Sequence, residues 1–335
     1  MNQRTHAWIA LRAIKLLEDE GEVPRLLELL KPFSQEASIG AWIPDKRDAK
    51  LGGAQTQNHV FKIGVCRGPL RYRFIVSRTK LKNRLGPERL ITGFLNKYKT
   101  ILDNVWWRES YKADPSPGKH LANRAMALTI NNIDMLILGN PQVQDLVPGR
   151  IRFINKVPTP TRCPAGQATI FFFMLSHFIA DSLMPCHCDE RDLSDYNNGL
   201  HMQLEKHWSR IVGTYFDEDK LTRPGLDDND ILNRAAAIDA KFGIDFEKRV
   251  PDMKSDDVWE EMVMLCRASF ALASIIAPPD QWPYKPAPQK MAPYDMLFNQ
   301  NQQGKDLLAE IDRVIMHDAV LNVAIIWKHI WTKFH

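Results

Sequence analysis

Five side chains that can bind a metal ion lie within twenty-nine residues of this chain, and they constrain its fold more than any other feature. They are His177, Asp181, His187, His201 and Glu205. His177 with Asp181 and His201 with Glu205 are spaced four residues apart, so each pair shares one face of a helix and can direct two donors at one ion. Imidazole and carboxylate ligands suit zinc, and a tetrahedral ion needs only four ligands. The segment therefore predicts a site for more than one ion, built on two helices.

The first of these pairs lies in an apolar segment. Residues 168–184 contain only five polar side chains, two of which are His177 and Asp181. A single pair with this spacing is more often an ordinary contact on a helix surface than a metal site. Here the pair is expected to be buried, and a metal ion would offset the cost of burying it. Pro185 is expected to end this helix, and residues 197–199 to form the turn before the next one.

Two earlier segments carry the same residue types. His6 opens an amphipathic helix whose apolar face comprises Ile9, Ala13, Leu16 and Leu17. A glycine-containing stretch further on carries Asp45, Asp48 and His59. Taken alone, His6 is typical of a histidine at a helix end, and the second stretch is typical of a solvated loop.

The order and spacing of these residues resemble those of the zinc-dependent phospholipase C family and of the single-strand-specific zinc nucleases that share its fold. The series is His6, Asp45, His59, His177, Asp181, His187, His201 and Glu205. The short gap between His187 and His201 and the terminal glutamate resemble the phospholipase branch. The position of His6 close to the chain start resembles the nuclease branch. The resemblance covers residues 1–65 and 165–215.

This resemblance implies a mainly α, multi-helix fold around a cleft that holds three zinc ions. It assigns the first ion to Asp45, His59, His177 and Asp181, and the second to His187, His201 and Glu205. The third would be held by His6, Asp181 and the N-terminal residue, with Asp181 bridging two ions. In the family that N-terminal residue is a tryptophan that binds through its amine and carbonyl. Here it is Met1, which can offer the same backbone atoms; Asp45 is preferred over Asp48 for its spacing to His59.

The implied activity is hydrolysis of a phosphodiester by water that zinc activates, with Asp45 as the catalytic residue that orients the water. The substrate would be a phospholipid or, alternatively, a single-stranded nucleic acid. A second alternative is a zinc-stabilised binding module without enzymatic activity. In choline-preferring members, aromatic side chains occupy the positions of Lys46 and Thr56 in this sequence. Lys46 would repel a quaternary ammonium group, so an anionic head group or a nucleic acid fits better.

The chain is expected to form one domain, residues 1–335, with an insertion at 66–165 and a helical C-terminal extension at 211–335. The insertion is expected to be mixed, with strands at 71–76 and 150–157 and a helix at 90–104. Residues 62–99 hold eleven basic side chains and one acidic one. Such a stretch can bind nucleic acid or lie on an anionic membrane, or it can be an ordinary solvated face.

The C-terminal extension is expected to contain helices at 228–241, 256–276 and 305–334. The last of these is apolar and aromatic, which favours packing on the core over a membrane surface. The net charge of +4 indicates no particular partner. Five cysteines argue against a disulfide framework, and Cys186 and Cys188 are expected to pack beside His187 rather than bind metal. With no signal peptide in the sequence, a cytoplasmic protein is expected, or a secreted one if a leader has been omitted. Oligomeric state is left open.

Overall fold

The computed structural model describes residues 1–45, 59–65, 78–102, 107–109, 120–139, 165–189, 199–217, 226–276 and 302–334, and helices dominate this part of the chain. The prediction of a mainly α protein is therefore confirmed. The strands of the described residues, β1 (Ile63–Val65) and β2 (Trp107–Glu109), form one short antiparallel pair. No described helix is long and apolar enough to cross a membrane.

The first half of the chain contributes seven of the helices named here. They are α1 (Gln3–Glu20), α2 (Pro24–Leu30), α3 (Ala37–Gly40), α4 (Arg78–Leu85), α5 (Leu90–Lys97), α6 (Lys99–Leu102) and α7 (Leu121–Gly139). The second half contributes α8 (Ala165–Asp181), α9 (Pro185–Cys188), α10 (Leu200–Val212), α11 (Asp228–Ala236), α12 (Val258–Ile276) and α13 (Gln302–Phe334). Short 3₁₀ turns cover Lys31–Glu36, Thr214–Phe216 and Asp239–Phe242.

Helix α1 lies at the centre of the fold. Its N-cap is Asn2, whose side chain accepts a hydrogen bond from the Thr5 amide, and it ends at Gly21 in the left-handed conformation. It packs against α3, α8, α10, α11 and α13. The predicted apolar face is buried, but so are positions between, such as Trp8, whose Nε1 donates to the Ala235 carbonyl at 2.9 Å. The helix is thus enclosed on nearly all sides instead of being amphipathic.

Helix α8 runs beside α1 and carries the predicted His177–Asp181 pair in its last two turns. It ends at Asp181, four residues before Pro185, so the expectation that Pro185 ends the helix is wrong. A tight turn follows, in which the Met184 amide donates to the Asp181 carbonyl at 3.1 Å. Pro185 then begins α9, a position where its missing N–H costs nothing. The turn expected at 197–199 lies outside the described residues except for Gly199, which precedes α10.

The C-terminal helices belong to the core. Ile325, Ile326, Trp327 and Ile330 on α13 are buried, which agrees with core packing of this apolar segment. Lys328 on the same helix is buried too, and its ammonium lies 2.8 Å from Glu20 at the end of α1. The helix expected at 228–241 is α11 followed by a 3₁₀ turn, and the other two expected helices match α12 and α13 closely.

The described part of residues 66–165 is largely helical and contributes to the same core. Helix α7 packs against α8, α12 and α13, and buries Leu121, Ala125 and Leu128. The helix expected at 90–104 is divided into α5 and α6. The strands expected at 71–76 and 150–157 lie outside the described residues.

Several basic side chains of the 62–99 stretch are paired with carboxylates. Arg89 is buried and pairs with Glu261 on α12. Lys97 lies 2.6 Å from Glu310, and Arg84 lies 3.6 Å from Glu260. These partners offset part of the positive charge that the sequence suggests for this surface.

Candidate metal centre

The structure brings all nine sequence-predicted site residues together at one end of α1. Met1 and His6 come from the start of α1, His59 from the segment before β1, His177 and Asp181 from the end of α8, and His187 from α9. His201 and Glu205 lie one turn apart on α10, and Asp45 follows α3 at the end of a described segment. Asp48, Lys46 and Thr56 lie outside the described residues.

Asp181 is the centre of this arrangement because its two carboxylate oxygens face different neighbours. Oδ1 lies 3.1 Å from the Met1 amine and 3.5 Å from His6 Nε2. Oδ2 lies 3.2 Å from His59 Nδ1 and 3.2 Å from His177 Nε2. A carboxylate placed in this way can bind one cation through each oxygen.

The first group of donors has the dimensions of a tetrahedral site. His59 Nδ1 and His177 Nε2 are 2.9 Å apart, and Asp45 Oδ1 lies 3.8 Å from the first and 3.6 Å from the second. With Asp181 Oδ2 at 3.2 Å from both, these spacings bracket the donor–donor distance of about 3.3 Å that a tetrahedral zinc with bonds of about 2.0–2.1 Å requires. These five donor–donor distances are therefore compatible with one zinc ion.

The orientation of the His177 ring also favours binding of a metal ion through Nε2. Its Nδ1 lies 2.8 Å from the Ala41 carbonyl, to which Nδ1–H donates, so Nε2 is left as a lone-pair donor facing the group. Gly40 allows this contact, since a Cβ at that position would lie 2.8 Å from the Cβ of Phe173 on α8. The absence of a side chain at Gly40 lets the backbone of α3 approach α8 closely.

The second group opens towards solvent. His187 Nε2 lies 3.0 Å from His201 Nε2, and His201 Nε2 lies 3.1 Å from Glu205 Oε1. The side chains of His201 and Glu205 are 27% and 26% exposed, and that of Asp45 is 34% exposed. The remaining ligand side chains are nearly or fully buried. Asp45, His201 and Glu205 therefore mark the side of the site that solvent can reach.

The third group contains a buried histidine that has no hydrogen-bond partner among the described residues. His6 is 1% exposed, both of its ring nitrogens are unsatisfied within this part of the chain, and its ring stacks on His177 at 3.9 Å. Leaving a buried polar group without a hydrogen bond is costly, and a metal ion bound by the His6 ring would remove that cost. The Met1 amine lies beside it, 3.0 Å from Glu205 Oε1. Donors of His6, Asp45 and His177 also lie within 4.8 Å of one another, so the groups are contiguous.

Protonation at this centre follows from burial and from the three carboxylates. Burial alone would lower the pKa of the Met1 amine, but Asp181, Glu205 and Asp45 outweigh it and raise that pKa to about 11. Burial alone would raise the pKa of Asp181, yet the Met1 ammonium holds it well below the usual range. Burial lowers the pKa of both His6 and His187. Neutral imidazoles beside ionised carboxylates are the form that binds metal ions, whereas the Met1 amine is held as an ammonium and would have to release its proton to bind one.

The cysteines beside His187 are not part of these groups. Cys186 and Cys188 are buried and free, and Cys188 Sγ donates to the Ser182 carbonyl at 3.3 Å. Burial raises the pKa of the Cys186 thiol, which keeps it protonated. Both cysteines pack beside the site, as predicted.

Sequence spacing did not identify the groups that orient the ligands. The Ala41 carbonyl is a backbone atom, and Lys62 was counted only as one basic residue of a long stretch. In the structure the Lys62 ammonium donates to the carbonyls of Cys186 and Asp189, on either side of His187. Neither role has a signature in a single sequence.

No protein-family model matches this chain, and no curated protein or solved structure does so either. The chemistry of the site therefore has to be argued from its own geometry and from the ligand series.

Proposed function

We propose that this protein is a zinc-dependent phosphodiesterase that resembles phospholipase C, with up to three ions held by the three donor groups. The observation that carries the proposal is the arrangement around Asp181, whose two oxygens face separate groups of nitrogen donors. His6, buried without a hydrogen-bond partner in the described part of the chain, supports it. Histidine and carboxylate donors without thiolates suit zinc in a hydrolytic site.

The site residues would divide the work of hydrolysis according to their burial. Bound zinc would supply a water nucleophile near neutral pH and neutralise charge on the phosphoryl oxygens. Asp45, partly exposed and facing both His59 and His177, would orient the attacking water and hold its proton. The carboxylates of Asp45, Asp181 and Glu205 offset only half the charge of three divalent ions, so the loaded centre would attract an anionic ester.

Among substrates, a phospholipid-type diester is the first candidate. The alternative, cleavage of single-stranded nucleic acid, rests on the basic stretch at 62–99, on Lys46 and on the position of His6 near the chain start. Arg84, Arg89 and Lys97 in that stretch face carboxylates, which weakens the electrostatic argument for a nucleic-acid surface. A nuclease and a zinc-stabilised binding module remain the other two outcomes of the experiment below.

The experiment compares the wild-type protein with Asp181→Asn and with Asp312→Asn. Asp312 is a buried carboxylate that accepts from Trp208 Nε1 at 2.7 Å and belongs to none of the three donor groups, so it is a matched control. Metal content is measured by mass spectrometry. Hydrolysis is measured on phospholipid vesicles and on single-stranded DNA, with and without a chelator.

We expect zinc in the wild type and in Asp312→Asn, and chelator-sensitive release of diacylglycerol. Loss of a residue that only orients a ligand costs about 10–100-fold in metal affinity or activity, so loss of this shared ligand should cost at least about 100-fold. Cleavage of DNA alone would make the protein a nuclease. A zinc-loaded protein without either activity would support the zinc-stabilised binding module. A wild type that binds no metal would refute the proposal.

A further inference from the structure

Lys62 contacts the backbone on both sides of His187. Its ammonium donates to the Cys186 carbonyl at 2.9 Å and to the Asp189 carbonyl at 2.8 Å. These carbonyls belong to the residue just before His187 and to the second residue after it. A single charged donor therefore fixes the short helix α9, which carries this candidate ligand.

The backbone of the Lys62 segment lies along the same turn. The Phe61 amide donates to the His187 carbonyl at 3.0 Å, and Ile63 forms a parallel bridge with Asp189. The same segment carries His59, whose ring stacks on Phe178 of α8 at 5.3 Å. The two candidate ligands on these segments, His59 and His187, are thereby tied together across Asp181.

Helix α9 needs such support because it is only four residues long. A helix leaves its last carbonyls without partners inside the helix, and a positive charge near its C-terminus is favourable. Cys186 and Asp189 are buried, so water has little access to their carbonyls. Lys62 supplies both the hydrogen bonds and the charge.

We propose that Lys62 is a positioning residue for the second metal group, a role that rests on the proposed function. His187 presents Nε2 to His201 at 3.0 Å and Nδ1 to Asp181 Oδ2 at 3.6 Å, so a small displacement of α9 changes both distances. His177 is held separately, within α8 and by the Ala41 carbonyl. Loss of the Lys62 ammonium therefore weakens the His187–His201–Glu205 group and leaves the buried group around His177 intact.

The test uses the full chain loaded with cobalt(II), whose absorption spectrum reports the geometry around each ion. Lys62→Met removes the ammonium, and Lys62→Arg restores a cation with several donors. Lys97→Met is the control, because Lys97 is an exposed lysine paired with Glu310. The measurements are the number of ions bound, their affinities by chelator competition, and the cobalt spectrum.

We expect Lys62→Met to weaken one ion by about 10–100-fold, the range found when an orienting partner of a ligand is removed. The part of the cobalt spectrum that comes from this ion should change, while the affinities of the remaining ions should not. Lys62→Arg should recover part of the lost affinity. In a His201→Ala background, which already disables this group, Lys62→Met should have little further effect on metal binding, since the two changes act on the same site.

Other results would overturn the inference. They include unchanged affinities and spectrum in Lys62→Met, or equal weakening of every ion. Loss of the fold in both Lys62→Met and Lys62→Gln, measured by circular dichroism, would make Lys62 a residue of the fold and not of the site. A wild type that binds no cobalt would refute the proposed function itself, whatever the variants do.

Discussion

His6 is a buried imidazole to which the described part of the chain offers no hydrogen bond. We expect His6→Leu to leave the stability of the metal-free protein unchanged or to raise it by about 1 kcal/mol, because an unsatisfied buried polar group costs about 1–3 kcal/mol. The same variant should bind one ion fewer. Urea unfolding in the presence of chelator and metal counting after reloading test both parts. A clear loss of metal-free stability with full metal content would show that His6 has only a packing role.

Helix α10 offers a matched pair of histidines. His201 belongs to the second donor group, whereas His207 pairs with Asp312 at 2.6 Å, and their side chains are 27% and 25% exposed. We expect His201→Ala to remove one ion and to reduce hydrolysis by at least about 100-fold, while His207→Ala keeps both. Metal analysis and initial rates on the same substrate distinguish them. Equal effects of the two substitutions would contradict the assignment of His201.

At this scale helical spacing predicted that His177 shares a helix face with Asp181, and that His201 shares one with Glu205. The convergence of these two pairs with the other candidate ligands was implied only by the resemblance to the zinc phospholipases. The sequence could not predict that His6 would be buried without a hydrogen bond from the described residues. Nor could it predict that Lys62 would donate to the carbonyls on both sides of His187. Both depend on atoms brought together from distant parts of the chain. Such contacts have no periodicity that a single sequence could reveal.

The approach of α3 to α8 depends on Gly40. A side chain there would meet the Cβ of Phe173 at 2.8 Å, and the Cβ cannot rotate away. We expect Gly40→Ala to push the Ala41 carbonyl away from His177 Nδ1 and to weaken metal binding by about 10–100-fold. Chelator competition measures this effect.

Gly93 is the matched control for this substitution. It lies inside α5, where an added Cβ would meet no atom of the described residues within 4 Å. Gly93→Ala should therefore leave metal binding unchanged and stabilise the helix by up to about 1 kcal/mol. Normal metal affinity in Gly40→Ala would show that the Ala41 carbonyl is not needed to orient His177.

The elements themselves were predicted better than their ends. The apolar pattern of α8 continues through Leu183 and Met184, so periodicity extends the helix past Asp181, where the chain turns. Helix α1 was predicted as amphipathic because Ile9, Ala13, Leu16 and Leu17 recur on one face. In the fold, Arg12 is buried against Asp239 at 2.7 Å, a partner that lies more than two hundred residues away.

The whole molecule should lose stability in mild acid when it is free of metal. Burial lowers the pKa of His6 and His187, so below pH about 6.5 the unfolded chain binds protons that the folded chain excludes. The free energy of unfolding must then fall as pH falls, by up to about 1.4 kcal/mol per pH unit for each histidine. Urea unfolding at three pH values between about 7.5 and 5.5, on either side of the ordinary histidine pKa, measures the slope in chelator.

Comparison with His6→Leu isolates the histidine contribution. That variant should show a smaller slope than the wild type, because it lacks one of the two histidines whose pKa burial lowers. Asp239 acts in the opposite direction, since burial raises its pKa to about 6, but it does so equally in all these proteins. A slope that His6→Leu leaves unchanged would contradict the prediction.

The charge of the surface is also a property of the whole molecule. The 62–99 stretch is basic in sequence, yet Arg84 and Arg89 face Glu260 and Glu261 of α12, and Lys97 faces Glu310. A local count of charges misses partners that lie more than a hundred residues away. A count from the sequence therefore treats Arg84, Arg89 and Lys97 as unpaired charges, whereas the fold pairs each of them with a carboxylate.

Helix α1 connects the candidate metal centre at its N-terminus with Lys328 of α13 at its C-terminus. Its far end is held where Glu20 meets Lys328, and Trp8 is fixed by a hydrogen bond to α11. Each helical residue advances the chain by about 1.5 Å and rotates it by about 100°. One residue inserted between His6 and Trp8 would turn His6 and the Met1 amine away from Asp181 while the rest of the helix stayed in place. The helical phase of α1 therefore sets the position of these donors, and we expect an insertion or deletion there to separate them from Asp181.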